Sequence, residues 1–330
     1  MKPNSRVTVV MYHYVREIVR SRYPRIKGLE VELFKKQLGY ISKQYTVIRM
    51  EDILLAGQGT KVLPENALLL TFDDGYKDHF DYVFPILRDR GWQGSFFPPA
   101  KVIEEHVVLD VNKIHFILAS VPHTRPLVED IYSHLDHYRE EFKLESNEHY
   151  YRTLGIESRM DTAEVIFIKR LLQRALPQAL RSRIVGELFS TYVSNDEASF
   201  SRELYMSVDQ LKEMLNAGMS IGGHSYDHLW LNTLSPTQQE TDIKRSIAFL
   251  EKIGVSRCGW TMCYPYGGYD PSLTLLLKRY GCAVAFTTEV RIADLSVDSP
   301  LTLPRLDTND LPKNEKAEPN EWTKKVLSEK

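Results

Sequence analysis

The sequence TFDDG at residues 71–75 decides the interpretation of this 330-residue chain. It follows the apolar run ALLL at residues 67–70, which predicts a buried strand. Adjacent carboxylates at a strand end repel each other and are costly to desolvate unless a cation or hydrogen bonds hold them. Because successive strand residues point in opposite directions, we expect Asp73 and Asp74 to divide the work between metal binding and chemistry. The alternative is a solvated Asp-Asp-Gly turn.

The composition is that of an ordinary globular protein, with 43% hydrophobic and 26% charged residues and a formal net charge of -2. This length suffices for one large α/β domain with an insertion, or for two domains. The near-neutral charge gives no reason to expect a nucleic-acid partner. No apolar run approaches the roughly 20 residues that cross a bilayer, so no transmembrane segment is predicted. The sequence does not indicate an oligomeric state.

The cysteines and the N-terminus together predict a cytoplasmic protein. Three cysteines, Cys258, Cys263 and Cys282, are too few and too clustered for a disulfide framework, which favours a reducing compartment. The first residues, MKPNSR, lead directly into a strand-like segment and lack the apolar core of a signal peptide.

Strand-like and helix-like segments alternate through most of the chain, which predicts a parallel sheet covered by helices. The alternation stops between about residues 104 and 203, where amphipathic helical patterns predict a mainly helical insertion. We interpret this insertion as a lid or substrate-selecting cap over one end of the sheet. We assign residues 1–312 to the interrupted sheet domain and expect residues 313–330 to form a loosely held polar tail.

A second polar cluster, HSYDH, occupies residues 224–228. On one face of a helical turn, His224 and His228 could both reach a single ion, and the glycines before them allow a tight turn. Taken singly, each histidine could instead be a hydrogen-bonded structural residue. With a carboxylate from residues 71–75, they make a three-ligand site with open positions, as catalytic zinc or iron sites require.

The combination of TFDDG and HSYDH resembles the signature of the polysaccharide deacetylase family, which is also called the NodB homology family or carbohydrate esterase family 4. The resemblance covers roughly residues 7–103 and 203–306. It implies an α/β fold, a distorted (β/α)7-type barrel, here with a large mainly helical insertion. The family's site lies at the C-terminal ends of the strands.

The same resemblance implies a role for each motif residue. Asp73 takes the place of the catalytic base, and Asp74, His224 and His228 take the places of the metal ligands. We expect a divalent ion, with zinc as the first choice and cobalt, nickel, iron and manganese as alternatives.

The family's third motif is matched by YPYG at residues 264–267. This match assigns the backbone N–H that stabilises the oxyanion to Tyr266, a role that is compatible with a simple proline turn because only the backbone is used. We also expect Tyr264 and Pro265 to contact the substrate.

The sequence departs from the family pattern in the arginine that orients the base in many members. Cys263 and Tyr264 occupy that region, and Arg305 could supply the guanidinium instead, although a solvated strand-end arginine is an equal alternative. We interpret Cys263 as a small buried hydrophobe and not as a nucleophile.

A second departure concerns the general acid, because no histidine follows His228. In this respect the chain is closer to the circularly permuted branch that deacetylates poly-N-acetylglucosamine. There an N-terminal Tyr-His pair supplies the acid, which is matched by Tyr12 and His13. We therefore expect His13 to protonate the leaving amine and Tyr12 to contact the substrate. The alternative is a histidine hydrogen-bonded within a strand.

These matches predict a metal-dependent N-deacetylase whose carbohydrate substrate carries an N-acetyl group. In a cytoplasmic protein that substrate would be a glycan, nucleotide-linked, lipid-linked or free amino-sugar precursor, as in lipopolysaccharide or capsule assembly. Two alternatives stay open. One is a deformylase or other amide hydrolase on the same fold, and the other is a catalytically silent carbohydrate-binding relative.

Overall fold

The computed structural model describes residues 4–157 and 161–327. The chain in these ranges forms short, mostly parallel strands separated by helices, as the alternating pattern predicts. The strands are β1 (Arg6–Tyr12), β2 (Val15–Arg16), β3 (Leu29–Glu30), β4 (Thr46–Val47), β5 (Ala67–Asp73), β6 (Ser95–Phe97), β7 (Ser220–Ile221), β8 (Thr261–Cys263), β9 (Val284–Phe286), β10 (Ala293–Asp294) and β11 (Leu306–Asp307).

The helices vary in length and several begin at a hydrogen-bonded cap. They are α1 (Val31–Gln44), α2 (Met50–Gly57), α3 (Phe84–Asp89), α4 (Ala100–Glu104), α5 (Asp110–Ser120), α6 (Thr124–Phe142), α7 (Asn147–Leu154), α8 (Ala163–Arg170), α9 (Gln178–Tyr192), α10 (Glu197–Leu204), α11 (Val208–Asn216), α12 (Pro236–Ile253), α13 (Pro271–Arg279) and α14 (Glu321–Leu327). A capping box opens α11 at Ser207. Among the described residues, no helix combines the length and apolarity needed to cross a bilayer.

The order of the strands closes a ring. β1 pairs in parallel with both β5 and β11, and β5 continues through β6 to β7. A bridge between Gly223 and Met262 joins the end of β7 to β8, and β8 pairs with β9. A further bridge, between Phe286 and Leu303, leads back towards β11. This topology confirms the predicted fold class, a distorted (β/α)7-type barrel.

The strands of the ring are buried because side chains fill its interior and helices cover its exterior. All seven residues of β5 are buried, which explains why its sequence reads as a continuous apolar run and not as an alternation. The core cluster brings Val9, Leu69, Phe97 and Phe286 together from different strands. Because the strands are parallel, the residues that follow β5, β7 and β8 lie at one end of the ring.

The chain divides into two compact units. The first comprises residues 1–16, 28–105 and 202–330, and the second comprises residues 17–27 and 106–201. The described residues of the second unit form helices and loops and contain no strand, and its larger segment nearly coincides with the predicted insertion. Residues 17–27, which we assigned to the barrel, belong instead to this helical unit.

The C-terminal segment differs from the loosely held tail that we expected. It contains α14, where Thr323 is fully buried and its hydroxyl is hydrogen-bonded to the phenols of Tyr40 and Tyr45 at 2.7 and 2.8 Å. The expectation was wrong because the composition of a polar segment does not show whether specific hydrogen bonds attach it to the rest of the fold.

Replacing Gly222 by alanine is expected to destabilise the barrel. A Cβ there would lie 2.5 Å from both the Phe97 ring and the carbonyl oxygen of Thr261, and such overpacking costs about 1–3 kcal/mol. Gly186→Ala in α9 is the control, because its Cβ would meet open space and alanine favours a helix by roughly 0.5–1 kcal/mol. Urea unfolding of both variants measures the difference. Equal stability of the two would contradict the close approach at Gly222.

Candidate active site

The two adjacent aspartates at the end of β5 are both buried, and they face different partners. Asp73 is 1% exposed and Asp74 is 4% exposed. Asp73 is paired with Arg305, whereas Asp74 lies beside His224 and His228. The two carboxylates therefore have separate partners, and neither lies in a solvated turn.

Asp74, His224 and His228 form a compact cluster whose possible ligand atoms all lie within 4.8 Å of one another. The Nε2 atoms of His224 and His228 are 3.4 and 3.3 Å from Oδ1 of Asp74. Two imidazole nitrogens and a carboxylate oxygen are a ligand set typical of catalytic zinc and iron sites.

Neighbouring groups orient these ligand atoms. The carbonyl of Cys263 lies 2.8 Å from Nδ1 of His224, which leaves Nε2 to face the cluster. The phenol of Tyr76 donates to Oδ2 of Asp74 at 2.6 Å. Among the described residues, the buried Oδ1 of Asp74 accepts no hydrogen bond. A buried carboxylate oxygen without a donor is costly, so this atom is well suited to a cation, and the cluster fits a divalent metal ion.

The histidines do not lie on a helical turn, as the spacing predicted. Residues 224–228 form a loop in which Ser225 and His228 adopt positive φ angles of 60° and 54°. The expectation was wrong because hydrogen bonds from the rest of the fold, and not a local helix, bring the imidazoles together. Such left-handed backbone costs of order 1–3 kcal/mol per residue and is typical of functional sites.

Asp73 is held by a buried guanidinium. Nη1 and Nη2 of Arg305 donate to its two oxygens at 2.9 and 2.7 Å. Arg305 is 1% exposed and also donates to the carbonyl of Thr287, so the alternative of a solvated arginine does not hold. Burial alone raises the pKa of Asp73, but the positive charges of Arg305 and His224 outweigh it and lower the pKa to about 2.

The Sγ atom of Cys263 lies 3.1 Å from Nη1 of Arg305. This thiol is fully buried, and burial raises its pKa well above the ordinary value. The side chain remains a protonated thiol beside the ion pair, in agreement with its interpretation as a small hydrophobe.

His13 follows the end of β1 and is half-buried. The electrostatic influence of His13 is the smallest of the causes that act on the pKa values of Asp73 and Asp74; it lowers both, whereas burial raises them. The main-chain carbonyl of His13 lies 2.7 Å from Nε2 of His79, a fully buried imidazole. Burial lowers the pKa of His79 to about 4, so this imidazole is neutral and donates the hydrogen bond.

Tyr266 lies next to the cluster in a left-handed conformation with φ of 57°. Its ring meets the ring of His228 edge-on, with centroids 4.9 Å apart. The ring of Trp230 stacks on the ring of Tyr266, with centroids 4.6 Å apart and an angle of 7° between the planes. The turn therefore brings the Tyr266 backbone to the site, and both aromatic rings are half-buried.

The structure buries the three side chains that we expected to contact the substrate. Tyr12 and Tyr264 are fully buried, and their hydroxyls donate to the side chain of Gln37 and the carbonyl of Leu301. Pro265 is buried as well. The hydrogen bonds of Tyr12 and Tyr264 anchor the chain within the barrel next to His13 and Tyr266.

Sequence reasoning missed several residues that shape the site. Tyr76 was recognisable only by its place next to TFDDG, and His79 and Trp230 carry no motif of their own. Asp242, on α12, accepts hydrogen bonds from the histidine loop, and no sequence pattern links it to that loop. These residues act through tertiary contacts, which the spacing of residues does not encode.

Known proteins resemble the chain in sequence and in fold. The family model for polysaccharide deacetylase matches residues 60–151 and 185–285, more than half of the chain. The poly-beta-1,6-N-acetyl-D-glucosamine N-deacetylase of Escherichia coli is 29% identical over 97 residues, which are 29% of this chain and 14% of that enzyme. The chain thus spans only a small part of that relative.

Two solved structures share the fold over nearly their whole length. The Streptococcus pyogenes deacetylase PplD has a TM-score of 0.58 and 16% identity, with 99% of this chain and 98% of that chain covered. IcaB from Ammonifex degensii has a TM-score of 0.55 and 18% identity, with 98% and 97% covered.

Tyr76→Phe is expected to weaken zinc binding about 10–100-fold, because the variant loses the hydrogen bond that orients the Asp74 carboxylate. Tyr280→Phe is the control, since that hydroxyl donates to a different carboxylate, Glu240. Titration of each apoprotein with zinc against a fluorescent chelator measures the affinity. Equal affinities in the two variants would show that the Tyr76 hydroxyl does not orient a ligand.

Arg305→Met is expected to destabilise the protein by about 3–5 kcal/mol, because it leaves the Asp73 carboxylate buried without a counter-charge. Arg291→Met, which breaks a pair with Asp298 at the surface, should cost less than about 1 kcal/mol. Chemical unfolding in the presence of a chelator compares them. Adding Asp73→Asn to Arg305→Met should recover part of the loss, and a lack of recovery would argue against a buried charge.

Proposed function

The chain belongs to the polysaccharide deacetylase family, and on that premise we propose that it is a metal-dependent hydrolase that removes the acetyl group from an N-acetylated amino sugar. The observation that carries the proposal is the Asp74, His224 and His228 cluster beside a separate carboxylate, Asp73, held by Arg305. One carboxylate is thus available to a metal and the other to a proton transfer.

The metal would be held by Asp74, His224 and His228. A divalent ion bound there supplies a Lewis acid that lowers the pKa of a water molecule and polarises an amide carbonyl. Zinc is our first choice because two imidazoles and one carboxylate are a common catalytic zinc set, and cobalt, nickel, iron and manganese remain alternatives.

Asp73 is proposed as the general base, which takes a proton from the water that attacks the acetyl carbonyl. Its ion pair with Arg305 supports this role in two ways. The pair keeps the carboxylate ionised in the barrel interior, and the two parallel hydrogen bonds hold its plane in one orientation. A fixed carboxylate loses little orientational freedom when it accepts the proton.

His13 is proposed as the general acid that gives a proton to the leaving amine. Its place directly after β1, which pairs in register with β5 next to Asp73, supports this role, and the hydrogen bond from His79 restrains its backbone. The N–H of Tyr266 is proposed to donate to the oxyanion that develops on the acetyl oxygen. The left-handed backbone at Tyr266 supports a specialised use of this main chain.

We further propose a cytoplasmic enzyme whose substrate is an amino-sugar precursor. The three cysteines are all free and Cys258 is exposed, which is the usual state of thiols in a reducing compartment. A substrate panel tests this part separately. Faster acetate release from a nucleotide-linked N-acetylhexosamine than from an N-acetylglucosamine oligomer would support it, and the reverse order would contradict it.

Deacetylation is expected to require both the metal and the Asp73 carboxylate. Removal of metal with a chelator should abolish acetate release, and added zinc should restore it. Asp73→Asn should lower kcat by roughly 10²–10⁴-fold, the usual contribution of a general base, with zinc affinity retained because Asp73 is not a ligand. Asp298→Asn, which also removes an arginine-paired carboxylate, is the control and should keep full activity.

The same assay separates the proposal from its alternatives. Activity that survives thorough chelation, or that is unchanged in Asp73→Asn, would refute the mechanism. Release of formate from an N-formyl analogue without release of acetate would indicate a deformylase. Zinc binding without any acyl release across the panel would indicate a carbohydrate-binding relative.

A further inference from the structure

The loop that carries the two histidines has a strained main-chain conformation. Ser225 and His228 both have positive φ angles, although neither is glycine. A backbone of this kind persists only where surrounding groups determine it. The residues that contact this loop therefore determine whether both imidazoles can face a single metal ion.

Asp242 provides the central contact to this loop. Its Oδ1 accepts the N–H of Tyr226 at 2.9 Å, and its Oδ2 accepts the N–H of Asp227 at 3.0 Å. The carboxylate thus binds two consecutive main-chain donors that lie between the two histidines. Its side chain is nearly inaccessible, with the residue 5% exposed.

A second connection runs from Asp242 to His228. The hydroxyl of Ser225 donates to Oδ2 of Asp242 at 3.4 Å, and its oxygen accepts the N–H of His228 at 2.8 Å. The Asp242 carboxylate therefore binds the main-chain N–H groups of Tyr226 and Asp227 directly. It is connected to the N–H of His228 through the Ser225 hydroxyl.

The surroundings of Asp242 make it a rigid support. It lies within the 18-residue helix α12, on the face that also buries Gln239, Ile243 and Ser246. The loop is also bound through its carbonyl groups, because the N–H groups of Ala100 and Lys101 donate to the carbonyls of Ser225 and Tyr226. The loop is thus clamped between the start of α4 and the side of α12.

The two histidines depend on this clamp to different degrees. His224 lies two glycines after β7, and its Nδ1 is hydrogen-bonded to the carbonyl of Cys263. His228 lies at the far end of the loop, where its N–H is bonded to Ser225. A change at Asp242 should therefore displace His228 more than His224.

We propose that Asp242 is a positioning residue for the metal centre, which holds His228 in the orientation needed to share one ion with His224 and Asp74. This inference rests on the proposed function, because it assumes that the cluster binds a metal. It assigns an effect on metal affinity to a carboxylate that acts through the backbone of the histidine loop.

Asp242→Asn tests this role with a readout other than activity. The amide places an NH₂ group where one main-chain N–H now donates, so the loop should lose one of its two anchors. Titration of the apoprotein with zinc against a fluorescent chelator should show about 10–100-fold weaker binding, in the range seen when groups that orient ligands are removed. The melting temperature of the apoprotein is measured alongside.

Asp270→Asn is the matched control. Asp270 also binds a main-chain N–H, that of Leu273 at the start of α13, so its loss should lower the stability of the apoprotein. Its zinc affinity should equal that of the wild type. A purely structural role for Asp242 would produce the same pattern as Asp270→Asn, a lower melting temperature with unchanged zinc affinity, and would overturn the proposal.

The His228→Ala background shows whether Asp242 acts through His228. There, Asp242→Asn should cause less than a 2-fold further loss of zinc affinity, whereas a full and additive loss would overturn the proposed route. If Asp242→Asn does not fold, Ser225→Ala replaces it and should weaken zinc binding in the same direction. Absence of zinc binding by the wild type would refute the metal site itself, and normal binding by Asp242→Asn would refute only this inference.

Discussion

The structure of the site depends on the separate neutralisation of two neighbouring buried carboxylates. Asp73 ends β5 and Asp74 follows it, and neither could remain charged in the barrel without a partner. Arg305 satisfies both oxygens of Asp73, and a cation held with His224 and His228 would satisfy Asp74. Because the two partners approach from different parts of the chain, the carboxylates can be close together and still take different roles.

This requirement explains why the ring of strands must close. Asp73 lies at the end of β5, and Arg305 comes just before β11, on the opposite side of β1. The guanidinium reaches the carboxylate only because β11 and β5 both pair with β1. The ion pair therefore depends on ring closure, and the carbonyl of Thr287 adds a third contact to the same guanidinium.

The site is also where the backbone is most constrained. Asp74, Ser225, His228 and Tyr266 all adopt left-handed conformations, and all four belong to the motifs that surround the cluster. Each costs stability, so each must be held by contacts outside its own motif. Asp242 and Tyr76 supply such contacts, which links the packing of α12 and the aromatic core to the geometry of the ligands.

The sequence by itself determined a parallel α/β sheet and the residue types of the site, because polar residues at strand ends stand out against apolar runs, and the resemblance to the family added the barrel. TFDDG and HSYDH could be found in this way, and the candidate Arg305 followed from the resemblance to the family. Only the tertiary structure decided that Arg305 binds Asp73, that Tyr12 and Tyr264 are buried in the core, and that Asp242 and His79 support the site. Those outcomes depend on distances between residues far apart in the chain, which local sequence patterns do not encode.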